Sequence, residues 1–243
     1  MERKKYLSII LLLCPLLLLG NTYSDRIYRA YAKGDMPLWK TTLNEMQALK
    51  NPDNRFSLEL LNYQYGYMGW LLSKGEKEEA KKHLKQSQTI VRRLEESSFN
   101  LSMVFAYKAA FVGFEIGIHP YKAPFIGSDS YDYVEKSLAY KPDNYFAHLQ
   151  KANIQYHTPA LFGGSKEEAL KHLLKALALY EQTHQEKKDW NLLNMLGSLI
   201  VFYTEQKDYI NAKRYCEKAL AMEPDFAWVK NELYPKTLEK IKK

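Results

Sequence analysis

The chain is poor in cysteine: two residues in 243. Cys14 falls in an apolar run near the start, so Cys216 alone would remain after removal of that run, and no internal disulfide could form. Alternating strand-like patterns are missing. So are a His-Glu-x-x-His pair, a Gly-x-Ser-x-Gly elbow, a phosphate loop and a Gly-rich dinucleotide fingerprint. Those absences remove the commonest routes to zinc hydrolysis, acyl transfer and nucleotide chemistry. The chain reads as non-enzymatic, with no cofactor and no metal.

Long apolar runs are scarce too. The one outside the helical pattern covers residues 6–19, after Arg3, Lys4 and Lys5 and before the small or polar Gly20, Asn21, Thr22, Tyr23 and Ser24. It is shorter than the roughly 20 residues that span a bilayer, and Pro15 interrupts it. Residues 1–24 therefore read as a secretory signal peptide, cut before Asp25 or, alternatively, after Gly20. Leu13 precedes Cys14 where a lipoprotein needs a small residue. The expected destination is the periplasm or cell envelope. Losing residues 1–24 takes three basic residues and one acidic one from a formal +7, leaving +5. The remaining cations alternate with acids along helix faces, so a nucleic-acid partner is not expected.

What is present is repetition. The stretch 196–224 places Leu196, Leu199, Ile200, Tyr203, Ala212, Cys216, Ala219 and Pro224 at helix-turn-helix spacing. The same small-x6-small interval recurs at Ala80/Ser87, Ser130/Ser137 and Ala169/Ala176. Small side chains at that interval let two antiparallel helices approach closely, and large apolar residues fill the gaps. This pattern resembles the tetratricopeptide repeat. The resemblance covers about residues 54–224 and implies an all-α, right-handed solenoid of about four helix pairs (54–96, 99–140, 144–184 and 189–222), with a C-terminal cap at 225–242. Residues 25–50 would cap the other end. Ile200 and Cys216 depart from the family's usual small and aromatic positions. Residues 159–165 followed by Ala169 are also similar to turns in the tetratricopeptide component of tripartite ATP-independent periplasmic transporters, which implies a periplasmic partner.

Such repeats bind through the concave face lined by the first helix of each pair. The repeat register places Asn62, Tyr65, Val112, Ile116, Gln150, Ile154, Asn194 and Val201 there, a lining suited to an extended peptide. Two turns look enlarged, 119–128 and 157–165; each starts with His (His119, His157), holds a Phe three residues before Ser (Phe125, Phe162) and ends in Gly-Ser. Insertions on one edge of a solenoid often build a binding surface. The expectation is a protein or peptide partner on the concave face and turns. The alternative is a small ligand held between groove and turns. Self-association is compatible with either. His119 and His157 lack a carboxylate or Cys partner and do not form a metal ligand set.

Overall fold

The computed structural model describes residues 22–184 and 189–242. The expected leader lies outside the described residues except for 22–24. Regular structure is entirely helical among the described residues. The helices are α1 (Tyr23–Lys33), α2 (Met36–Gln47), α3 (Asn54–Ser73), α4 (Lys77–Glu96), α5 (Leu101–Ile118), α6 (Ala123–Tyr140), α7 (Tyr145–His157), α8 (Lys166–Thr183), α9 (Trp190–Glu205), α10 (Tyr209–Met222) and α11 (Tyr234–Ile241).

Their starts are written in the sequence. Thr22, Asp35, Asp53, Asn100, Asn144, Ser165, Asp189 and Asp208 each accept a backbone N–H of the following turn through the side chain. Such caps satisfy donors that have no partner inside the helix. At α1 the cap is reciprocal, Thr22 with Asp25. Of the two expected cleavage points, one after Gly20 would retain that cap and one before Asp25 would remove it.

Successive helices pack as pairs: α1 with α2, α3 with α4, α5 with α6, α7 with α8, α9 with α10. The small-x6-small positions do what their size predicts. Ala80, Ser87, Ser130, Ser137, Ala169, Ala176, Ala212 and Ala219 are all buried. Where the small residue is Ser, its hydroxyl finds a partner: Ser87 donates to Gln64 Oε1 at 2.7 Å and Ser137 to the Ser102 carbonyl at 2.6 Å.

The pairs do not leave an open concave face along their whole length. Helix α1 packs on α9. Tyr31 donates to Asn194 Oδ1 at 3.1 Å and Tyr28 to Glu223 at 2.6 Å. The interior between the first helices is filled by aromatic rings in edge-to-face contact. Trp39 meets Trp190 at 5.2 Å, Tyr31 meets both at 5.8 Å, and Tyr65 meets Phe146 at 5.0 Å. The chain thus closes on itself through its N-terminal pair.

Two expectations need correction. The 119–128 turn is mostly helix: a short 3-10 turn spans Pro120–Lys122, and α6 begins at Ala123. Pro124 near the helix start presets φ and has no N–H that would go unpaired there, while Gly127 costs a helix only about 1 kcal/mol. Phe125 therefore sits on the first turn of α6. The second turn is long, as expected, with a 3-10 turn at Ala160–Phe162 before the Ser165 cap. The last helix is also not uniform. A π segment spans Val229–Leu233 ahead of Pro235, whose ring and missing N–H disrupt the ordinary ladder.

Candidate functional site

Of the eight expected groove residues, two are buried inside the fold and the other six are half-buried. Tyr65 and Gln150 are buried and joined, Gln150 donating to the Tyr65 hydroxyl at 3.2 Å. Asn194 is held by Tyr31. Val112, Ile116, Ile154 and Val201 are half-buried. The concave face they were expected to present is covered at Tyr65 and Gln150, because Trp190 and the α1–α2 pair reach into it. Asn62 is the exception, since it lines an open cleft of about 890 Å³.

That cleft lies where the first helices begin. Arg55, Glu59, Asn62 and Tyr63 come from the first half of α3, Met103 and Tyr107 from α5, and Tyr145 from the first residue of α7. Tyr180 and His184 come from the end of α8, Trp190 and Asn191 from the start of α9, and Ser24 and Asp25 from α1. Pairing antiparallel helices brings the end of α8 beside the start of α7, which is why residues far apart in sequence converge here.

The walls are aromatic and ordered. Tyr180 and His184 stack in parallel with centroids 4.0 Å apart and planes 2° from parallel. Tyr145 stands edge-on to Tyr180 at 4.7 Å and to His184 at 5.8 Å. On the opposite side Asn62 is a hub: its Oδ1 accepts from Trp190 Nε1 at 2.7 Å and Asn191 Nδ2 at 3.1 Å. Burial pushes the hydroxyls of Tyr63, Tyr107, Tyr145 and Tyr180 above the ordinary tyrosine range; the carboxylates of Glu59 and Asp189, which accept from Tyr63 and Tyr180, add to the effect. All four are neutral phenols near neutral pH. The Tyr107 hydroxyl is fully enclosed near Asn62 and makes no hydrogen bond of good geometry. A buried polar atom without a partner is costly and marks a place where a ligand or water would be welcome.

The acids of the cleft are already engaged. Asp25 belongs to the α1 cap, Glu59 accepts from Tyr63 at 2.7 Å, and Asp189 both caps α9 and accepts from Tyr180. Arg55 is exposed at the rim and forms no ion pair among the described residues. The site can therefore stack a flat ring system, offer phenolic hydroxyls and a Trp-Asn network, and meet one negative charge.

The turn residues are elsewhere. His119 and His157 follow or end α5 and α7, whereas Met103 and Tyr145 line the cleft at the starts of the same helices. Over the 13 residues of α7 the separation is on the order of 18 Å at 1.5 Å per residue. No ligand in this cleft touches both turns. Phe125 and Phe162 are 79% and 73% exposed, so they do not tuck beneath their turns.

Sequence reasoning located Asn62 but missed Tyr107, Tyr145, Tyr180 and His184. The 19 tyrosines of the chain were the available signal. Which of them would face an opening depended on the α1–α9 contact, for which the repeat register has no rule.

No protein-family model matches the chain, and no curated protein matches it. Among solved structures, the HusA haemophore from Porphyromonas gingivalis superposes with a TM-score of 0.58 at 18% identity, over 77% of this chain and 96% of that one. At this identity the likeness is one of fold.

Proposed function

We propose that the chain is an exported, non-enzymatic binding protein, a right-handed tetratricopeptide-like solenoid closed by its N-terminal pair, that holds a flat aromatic small molecule in the tyrosine-lined cleft. The observation that carries this reading is the wall of Tyr145, Tyr180 and His184 facing the Trp190–Asn62 network over the unpartnered Tyr107 hydroxyl. The volume falls in the range of roughly 300–1,000 Å³ that suits a drug-sized ligand. The haemophore neighbour supports a porphyrin as the first ligand to test. A porphyrin offers a planar face to the rings and carboxylates to Arg55.

The test is titration of the purified protein with protoporphyrin IX and with ferric haem, followed by quenching of the tryptophan fluorescence and by the porphyrin absorption bands. Saturable binding that weakens about tenfold or more in Tyr145→Ala supports the reading. Binding that is unchanged in that variant, or no binding of either compound, removes it.

A protein partner is favoured by a separate observation. Tyr121 and Phe125 are exposed on the 3-10 turn and the first turn of α6 that follow α5, and Leu161 and Phe162 on the 3-10 turn that follows α7, outside the cleft lining. Exposed large apolar residues in one region are unusual on a soluble monomer. Capture of an envelope protein by the wild type but not by a Phe125→Ser/Phe162→Ser variant supports that surface as its site.

A further inference from the structure

Resting on the porphyrin reading above, we infer that His184 Nε2 is an axial ligand for the metal of a bound iron porphyrin. The argument begins with the tautomer. His184 Nδ1 lies 3.1 Å from the Tyr180 carbonyl and 2.7 Å from the Thr183 hydroxyl. A carbonyl can only accept, so Nδ1 carries the proton and donates. The Thr183 hydroxyl in turn donates to the Leu179 or Tyr180 carbonyl at 3.0 or 3.2 Å, which leaves its oxygen to accept from His184. Nε2 then keeps its lone pair and has no hydrogen bond among the described residues, on a ring that is half-buried in the cleft wall. This is the arrangement of a metal-binding histidine: one ring nitrogen held by a main-chain carbonyl, the other presented.

The ring is also held in place. Tyr180 stacks flat on one side of it and Tyr145 meets it edge-on, so little rotamer freedom remains to be lost on ligation. His184 lines the same cleft as Arg55 and Trp190.

Other donors in the molecule are less suited. The hydroxyls of Tyr63 and Tyr180 are donating to Glu59 and Asp189, and burial disfavours the phenolate that an iron ligand requires. His148 and His172 are engaged with each other at 3.2 Å, and His148 Nε2 faces the Pro142 carbonyl at 3.1 Å. Neither lines the cleft, nor do His83, His119 or His157. Among the described residues of the cleft, His184 is thus the one with an imidazole nitrogen not engaged in a hydrogen bond.

The consequence is discrimination between ferric haem and metal-free protoporphyrin IX. The wild type should bind both, with haem favoured by about tenfold or more. His184→Phe keeps the stack on Tyr180 but has no lone pair; His184→Ala leaves space that free imidazole can fill. In both variants haem should lose its advantage over protoporphyrin IX measured in the same variant, and the Soret band and the iron's electron paramagnetic resonance signal should shift. Imidazole should restore the signal in His184→Ala. If both variants retain the wild-type Soret band and haem affinity while protoporphyrin IX still binds, the ligand assignment is wrong and the cleft reading stands. If the wild type binds neither porphyrin, the cleft reading fails, and the ligand assignment with it.

Discussion

Trp39 and Trp190 cross edge to face directly over Gly66, so close that a Cβ on that glycine would lie 2.7 Å from Trp190 and 2.8 Å from Trp39. The three residues belong to α2, α9 and α3, and their contact fastens the N-terminal pair to the third and ninth helices. Gly66→Ala should therefore destabilise the fold by about 1–3 kcal/mol, the ordinary cost of overpacking a core. Urea unfolding followed by tryptophan emission reads this out. Trp190 also forms part of the cleft wall, so ligand affinity should fall in the same variant. An unchanged midpoint would mean that the indoles move aside without cost.

Asn144 links two levels of structure. Its Oδ1 caps α7 through the backbone N–H groups of Phe146 at 2.9 Å and Ala147 at 3.3 Å, while its Nδ2 donates to the buried Ser102 hydroxyl at 2.7 Å. Asn144→Ala removes the cap and a buried donor together, with an expected loss of about 1–3 kcal/mol. Asn144→Ser keeps a capping oxygen and should lose less. Equal losses in the two variants would show that the cap contributes nothing. Tyr145 is the next residue, so the cap also sets where that ring stands in the cleft.

The histidine pair gives a pH dependence of definite sign. His148 Nε2 donates to the Pro142 carbonyl, so its Nδ1 must accept from His172 Nδ1. Burial, then the neighbouring Lys151 and His148, push His172 down to about 4, while Glu168 pulls weakly upward and Lys171 adds to the depression. An unfolded histidine takes up its proton near pH 6.5, at a pH where the folded one still refuses it. The contribution to stability is therefore complete above about pH 6.5 and is lost as the pH falls toward 4. His172→Gln keeps an N–H for His148 without titrating. The slope of unfolding free energy against pH in that window should be shallower in the variant. Identical slopes would exclude His172 as its source.

Cys216 lies wholly inside, and burial raises its thiol to about 11. Thiolate is the reactive form. Ellman's reagent at pH 8 should label the native protein slowly and the urea-unfolded protein at once. Fast labelling of the native protein would mean that α10 opens readily.

The secondary structure was legible because its causes are local. Ser165, Asp208 and the Ala80/Ser87 and Ala169/Ala176 intervals act within one or two turns, and each is visible in a short window of sequence. The start of α6 was misjudged because Gly127 and Ser128 resemble a helix boundary, whereas the favourable start at Ala123-Pro124 outweighs a single helical glycine. The site was less legible for another reason. Tyr31 reaches Asn194 across 163 positions of sequence, and that contact decides which part of the inner face stays open. Repeat spacing describes neighbours and carries no information about the two ends of the array meeting. Asn62 was found because it faces inward from the middle of α3, where the register does sample. Tyr145 and His184 were passed over because they occupy helix ends, which a mid-helix register does not sample.

The contact between Tyr28 and Glu223 spans 195 positions, so the first helix of the described fold to be made is among the last to be seated fully. As the chain is made, Trp39 can rest on α3, but the faces that α1 and Trp39 turn toward α9 stay uncovered until α9 and α10 have emerged. Each earlier pair can form by itself from near neighbours, but joining the ends requires closure of a loop nearly as long as the chain, which is the slow kind of step. The cleft takes its walls from both sides of that junction. It therefore comes into existence only with the finished molecule, and a partly made chain lacks the cleft altogether.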